Sequence, residues 1–114
     1  MPLLKIQTNQ SLHENHNTSL VNEASEELAR LLGKPERYVM VSLQSNPLMR
    51  FAGTDAPLAY LELKSIGLPE SATQSLSEAL CDLVHQHLGV DRDRIYIEFT
   101  DAPRAMWGWN GTTF

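Results

Sequence analysis

The residue with the most chemical potential in this chain is a proline placed directly after the first methionine. Methionine is generally removed when the next residue is small, and its removal would turn Pro2 into a free secondary amine. An α-amino group titrates at about 7.7 to 8.0, and burial or a nearby cation lowers that value by disfavouring the ammonium. A base poised near neutral pH results, which is what proton abstraction beside a carbonyl requires. Met-Pro starts are common and mean little alone, but a strand-like pattern begins at Leu3, so this amine is tethered to a core element and not to a loose tail. Lys34, after Gly33, can bind a substrate carboxylate and depress the Pro2 amine, or it can simply complement a helix C-terminus. Tyr96, in an apolar run, reads equally as a core tyrosine and as a hydroxyl donor lining a pocket.

The other reactive side chains are less promising. His13-x-x-His16 lies in a polar stretch, and His85-x-His87 places two histidines on different faces of a helical pattern, so neither pair suits a metal. The single cysteine, Cys81, sits within helical apolar spacing and reads as a small buried hydrophobe. There is no glycine-rich phosphate loop, serine elbow or paired-cysteine motif. Nine basic against fourteen acidic residues, a net charge of −5 and no basic run exclude an electrostatic footprint for nucleic acid. No apolar segment approaches the roughly 20 residues needed to cross a bilayer, and the start of the chain has no signal-peptide pattern, so a cytoplasmic protein is expected, with secretion only by a non-classical route.

The elements that must position Pro2 follow from periodicity. Leu3 to Thr8 alternates as a strand and Asn9 to Thr18 has loop composition; Leu20, Ala24, Leu28 and Leu31 then recur at helical spacing until Gly33 and Pro35 stop them. Tyr38 to Leu43 reads as a strand, Gln44 to Pro57 as a loop, and Ala59 to Lys64 as a third strand. Ser71-x-x-Gln74 has the form of a capping box opening a helix with Leu76, Leu80, Leu83, Val84 and Leu88 on one face, ended by Gly89. Arg94 to Phe99 is the fourth strand, and Trp107 to Phe114 is a turn with a small extra strand. Leu32-Gly33 and Val39-Met40-Val41 superpose on Leu88-Gly89 and Ile95-Tyr96-Ile97 at a constant offset of 56 residues, so the chain is a duplicated βαβ unit. Two such units predict one α+β domain spanning residues 1–114, an α/β two-layer sandwich of a four-stranded mixed sheet with both helices on one face. Apolar residues assigned to the other face predict that another subunit covers it.

The Met-Pro start, Thr8-Asn9, Gly33-Lys34-Pro35, Leu48-Met49 with Phe51-Ala52-Gly53, Ser65-Ile66-Gly67, Asp93-Arg94-Ile95-Tyr96-Ile97 and Gly108-Trp109-Asn110-Gly111-Thr112-Thr113-Phe114 together resemble the macrophage migration inhibitory factor family of the tautomerase superfamily, over the whole chain. The resemblance implies a homotrimer whose sheets form a central barrel, with active sites at subunit boundaries, and a phenylpyruvate-type keto–enol tautomerase, an isomerase that also takes dopachrome-like compounds. Pro2 would carry the proton. Lys34 and the backbone N–H of Ile66, beside Ser65, would hold the substrate oxygens. Tyr96 from a neighbouring subunit, Glu98, Trp107, Trp109 and Phe114 would line the pocket, and enolisation would need no cofactor or metal.

Three departures stand out. Glu98 replaces the asparagine of the mammalian members and would repel an anionic substrate or raise the Pro2 pKa. Trp107 replaces a smaller aliphatic residue and would narrow the pocket mouth. The Cys-x-x-Cys of those members falls at Leu58 and Leu61, which excludes thiol oxidoreductase chemistry of that kind. Two other functions fit the same resemblance: a cytokine-like, receptor-binding protein with a vestigial pocket, and a proline-dependent hydratase or dehalogenase, which generally wants extra arginines around the amine.

Overall fold

Alternation along Leu3–Thr8 (β1) turns Leu4, Ile6 and Thr8 to one side, where all three are fully buried. The computed structural model describes the backbone of residues 1–114 and every side chain except those of Glu14 and His16. In it β1 pairs in parallel with β2 (Met40–Ser45) and antiparallel with β3 (Ala59–Ile66), and β3 pairs in parallel with β4 (Ile95–Ala102). The strand order is β2-β1-β3-β4, so the strand that begins at Leu3 lies inside the sheet. Helices α1 (Glu14–Leu32) and α2 (Thr73–Leu88) pack through Leu20, Ala24, Leu28, Leu76, Leu80 and Val84 onto Leu4, Ile6, Leu61 and Leu63, forming one core. Each helix stops at a glycine in the left-handed region, Gly33 at φ 62° and Gly89 at φ 67°. Only glycine holds that geometry without strain, and the N–H of Lys34 closes the first cap by donating to the Ala29 carbonyl at 3.0 Å.

The fold class agrees with the two-layer α+β arrangement expected, while several details differ. Helix α1 starts at Glu14, inside the stretch read as loop, because its first turns are polar and carry no apolar stripe. Tyr38 belongs to a 3₁₀ turn, Glu36–Tyr38, and not to the strand. Ser71 lies in another 3₁₀ turn, Glu70–Ala72, and no capping box forms; instead the Thr73 hydroxyl donates to the Glu70 carbonyl at 2.8 Å and the Ser75 hydroxyl to that of Ala72 at 3.1 Å.

The largest correction concerns the far side of the sheet. Register pairs Leu4 with Val41, Ile6 with Leu43, Ala59 with Ile95 and Leu61 with Ile97, so of the apolar residues assigned to the open face Val41, Leu43, Leu61, Leu63, Ile95 and Ile97 lie on the helix face, and Met40 and Tyr96 remain on the open one. The open face carries Lys5, Gln7, Ser42, Glu62, Lys64 and Glu98 together with Leu3, Met40, Tyr60 and Tyr96. Lys5 and Glu62 sit opposite each other and form a salt bridge of 3.5 Å. The open face is thus mixed and not the apolar surface expected; of the large apolar side chains left exposed, Met40 and Tyr96 lie on it, and Leu48, Met106 and Trp109 lie outside the four-stranded sheet.

Candidate active site

Pro2 is fully buried at the floor of a cavity of ≈ 590 Å³. Its carbonyl accepts the Met40 N–H at 2.9 Å, which extends the β1–β2 ladder to the second residue and fixes the start of the chain. Met1 is present in this structure: its ammonium donates to the Tyr38 carbonyl at 2.7 Å, and its side chain lines the same cavity. Burial first, and then the charge of Lys34, push that terminal amine below its ordinary value. Lys34 is thus near enough to act on an amine here, although it does not line the cavity wall.

The roof is aromatic. Gly108–Trp109 (β5) and Thr112–Thr113 (β6) form a hairpin across Asn110-Gly111, whose φ values of 53° and 77° are those of the tight turn that Asn-Gly favours. The hairpin swings Trp109 onto Phe114, nearly parallel with ring centroids 5.5 Å apart, and the Tyr38 ring meets both edge-on at 5.6 and 5.8 Å. The Phe114 N–H donates to the Trp107 carbonyl at 3.1 Å and closes the structure. Trp107, Trp109 and Phe114 all line the cavity.

The remaining candidates lie elsewhere within the chain. Ser65 follows Leu61 and Leu63 onto the buried face, where its hydroxyl has no hydrogen-bond partner, and Ile66 is buried beside it; neither lines the cavity. Their turn is held by Asp101, whose carboxylate accepts the N–H groups of Gly67 and Leu68 at 2.9 and 3.0 Å. Tyr96 is 65% exposed and lies against Phe51, with centroids 4.6 Å apart, in a second hollow of ≈ 360 Å³. Glu98 is on the open sheet face and accepts a hydrogen bond from the Tyr60 hydroxyl at 3.2 Å. Of the histidines, His85 contacts the Val90 carbonyl at 2.8 Å and His87 contacts Glu23 at 2.5 Å; the His13–His16 pair lies partly outside the described residues. Cys81 is half-buried against the core, which pushes its thiol up.

The comparisons with known proteins converge. The family model described as macrophage migration inhibitory factor (MIF) matches residues 1–114. The chain belongs to the macrophage migration inhibitory factor family. Macrophage migration inhibitory factor of Meriones unguiculatus is 36% identical over 118 residues, covering 100% of this chain and 99% of that protein. A macrophage migration inhibitory factor homologue from Prochlorococcus marinus, of known crystal structure, is 50% identical with a TM-score of 0.93, covering 98% of each chain. The macrophage migration inhibitory factor-like protein of Entamoeba histolytica superposes with a TM-score of 0.92 at 26% identity, over 99% of this chain and 98% of that one. The family includes tautomerases and cytokine-like members.

This family member carries its cavity twice. In the second hollow Leu58, Ala59 and Tyr60 stand as Met1, Pro2 and Leu3 stand in the first; Arg50-Phe51-Ala52 stand as Met106-Trp107-Gly108, and Tyr96 as Met40. The duplication seen in the sequence thus extends to the sites, with the first strands of the two units one residue further apart than the helices and second strands. The hood over the second hollow is tied down by Arg94, which donates to the carbonyls of Pro57, Phe51 and Ala56 at 2.9, 3.1 and 3.0 Å.

Sequence reasoning missed Arg37, Tyr38, Lys64 and Thr100 as cavity residues. Lys64 is opposite Leu3 in the antiparallel pair and Thr100 is opposite Lys64 in the parallel one, so only the strand register reveals them. A signal was available for Tyr38, whose aromatic ring precedes an apolar strand and stands three residues after Pro35.

Proposed function

We propose that the chain, once Met1 is removed, is a keto–enol tautomerase acting on 2-keto acids of the phenylpyruvate kind, with the Pro2 amine as general base. The observation that carries this reading is the burial of Pro2 at the floor of an aromatic-roofed cavity, where its amine would lie within the field of Lys34. The neutral amine takes a proton from the carbon beside the keto group. The electron pair of that C–H bond forms the enol double bond, and the developing charge on oxygen is met by Lys34, whose charge already reaches the terminal amine. The proton then passes to that oxygen, which completes the isomerisation with no net redox change. The ring of the substrate fits against Trp107, Trp109 and Phe114.

Within one protomer Tyr96 is outside this cavity, exposed and already backed by Phe51. A homotrimer in which each Tyr96 meets the neighbouring copy's Pro2 cavity would complete the site, and the mass of the assembly in solution tests that arrangement. The functional test is phenylpyruvate tautomerisation by Met-processed protein beside Pro2→Gly. Turnover that collapses in the variant supports the reading; equal rates in the two proteins, or none in the processed wild type, overturn it.

A further inference from the structure

The cavity wall has an unusual charge balance for an acidic protein. The chain's net charge is −5, yet the side chains lining the cavity include two cations, Arg37 and Lys64, and no Asp or Glu. The salt bridges of the described residues engage Lys5, Arg30, His87 and Arg92, and leave Arg37 and Lys64 without an acidic partner. Arg37 is held by stacking its guanidinium over the Tyr38 ring at 4.8 Å, which fixes the group and leaves its N–H donors free. Lys64 projects from β3 on the open sheet face opposite Leu3. Neither is the cation, Lys34, that the proposed mechanism assigns to the reacting end of the substrate.

An acidic surface around an unpaired basic pocket repels anions in general and rewards only those that neutralise the pocket's own cations. A 2-keto monoacid carries its keto group and its one carboxylate together at the reacting end, where Lys34 already supplies a cation. Two further donors on an otherwise aromatic wall have no role with such a substrate, and their desolvation would work against a neutral ring. We infer that Arg37 and Lys64 form a second anion-recognition point, so that the preferred substrate is an aromatic or unsaturated 2-keto acid bearing a second acidic group distant from the keto acid. This rests on the reading of the cavity as a 2-keto acid site and specifies its substrate class.

The test compares kcat/KM for phenylpyruvate and 4-carboxyphenylpyruvate in processed wild type, the double variant Arg37→Gln/Lys64→Met, and Lys64→Arg. A hydrogen-bonded charge pair predicts that wild type favours the diacid by about tenfold, mainly through KM. That ratio falls to one or below in the double variant and is kept by Lys64→Arg. A wild-type ratio of one, or a ratio unmoved in the double variant, overturns the inference. Quenching of Trp107 and Trp109 fluorescence by terephthalate and by benzoate, which cannot tautomerise, separates this failure from failure of the base. Tighter terephthalate binding that needs Arg37 and Lys64, in a protein without turnover, upholds the anion site and refutes the Pro2 mechanism. Turnover with equal binding of the two acids does the reverse.

Discussion

Retention of Met1 is the sharpest test of the proposed chemistry, because the structure already shows what the unprocessed chain looks like. With Met1 attached, the Pro2 nitrogen is a tertiary amide whose lone pair is delocalised into the peptide bond, so it has no basicity to offer. The α-amine is then that of Met1, one residue further out and donating to the Tyr38 carbonyl at 2.7 Å, and Met1 itself lines the cavity. Loss of a positioned general base costs about 10²- to 10⁴-fold. Protein isolated with Met1 intact should therefore turn over phenylpyruvate at least about a hundredfold more slowly than processed protein. Unfolding is not an alternative explanation, since β1 keeps its pairing with β2 and β3, and the Pro2 carbonyl keeps the Met40 N–H, with Met1 in place. The assay follows loss of the enol absorbance at equal protein concentration, with intact mass reporting the state of the terminus and circular dichroism the fold. Comparable rates from the two forms would show that the Pro2 amine is not the base.

Lys34→Ala removes one of the two influences that hold the terminal amine below its ordinary value, and the base acts only when neutral. The rising limb of kcat/KM should accordingly move to higher pH, with a higher KM for the keto acid; a limb that stays in place would separate Lys34 from the amine. Leu61→Ala opens a cavity under the centre of the sheet, where Leu61 is fully buried between β1 and β4, and should cost about 3 to 5 kcal/mol in urea unfolding at fixed protein concentration. A loss below about 1 kcal/mol would mean that the site collapses around the smaller side chain.

The fold was legible wherever burial imposes a period. Leu20-Ala24-Leu28 and Leu76-Leu80-Val84 announce two helices, and the Leu-Gly repeat marks both of their ends. Legibility fails where local polar bonds or strand register decide. The polar first turns of α1 carry no stripe, and Ser71 satisfies the capping pattern while the helix starts at Thr73. The face assignment of β2 and β4 failed for the same reason: alternation shows that residues face two ways, but only pairing with β1 and β3 shows which way is inward. At the site, Pro2, Trp107, Trp109 and Phe114 are contributed by chain segments whose sequence carries its own signal, a Met-Pro start and an Asn-Gly hairpin. Arg37 and Lys64 are ordinary surface residues in sequence, and become cavity residues through the company β1 keeps.

Duplication explains why the two hollows are alike and why they cannot do the same chemistry. Each unit folds strand, helix, strand and then a tail that covers the start of the other unit's first strand, so a cavity forms at each of those two starts. Ala59 stands in the second hollow as Pro2 does in the first, equally buried, but it lies mid-chain and its nitrogen is an amide that cannot be freed by removal of one residue. A secondary amine in a buried site is available only where the chain begins, and the first strand supplies it at the cavity floor. The second hollow has no such amine and is lined by the aromatic side chains Phe51, Tyr60 and Tyr96. In the proposed homotrimer the amine of one copy meets the Tyr96 of another, which combines two halves of a duplicated design that neither hollow contains alone.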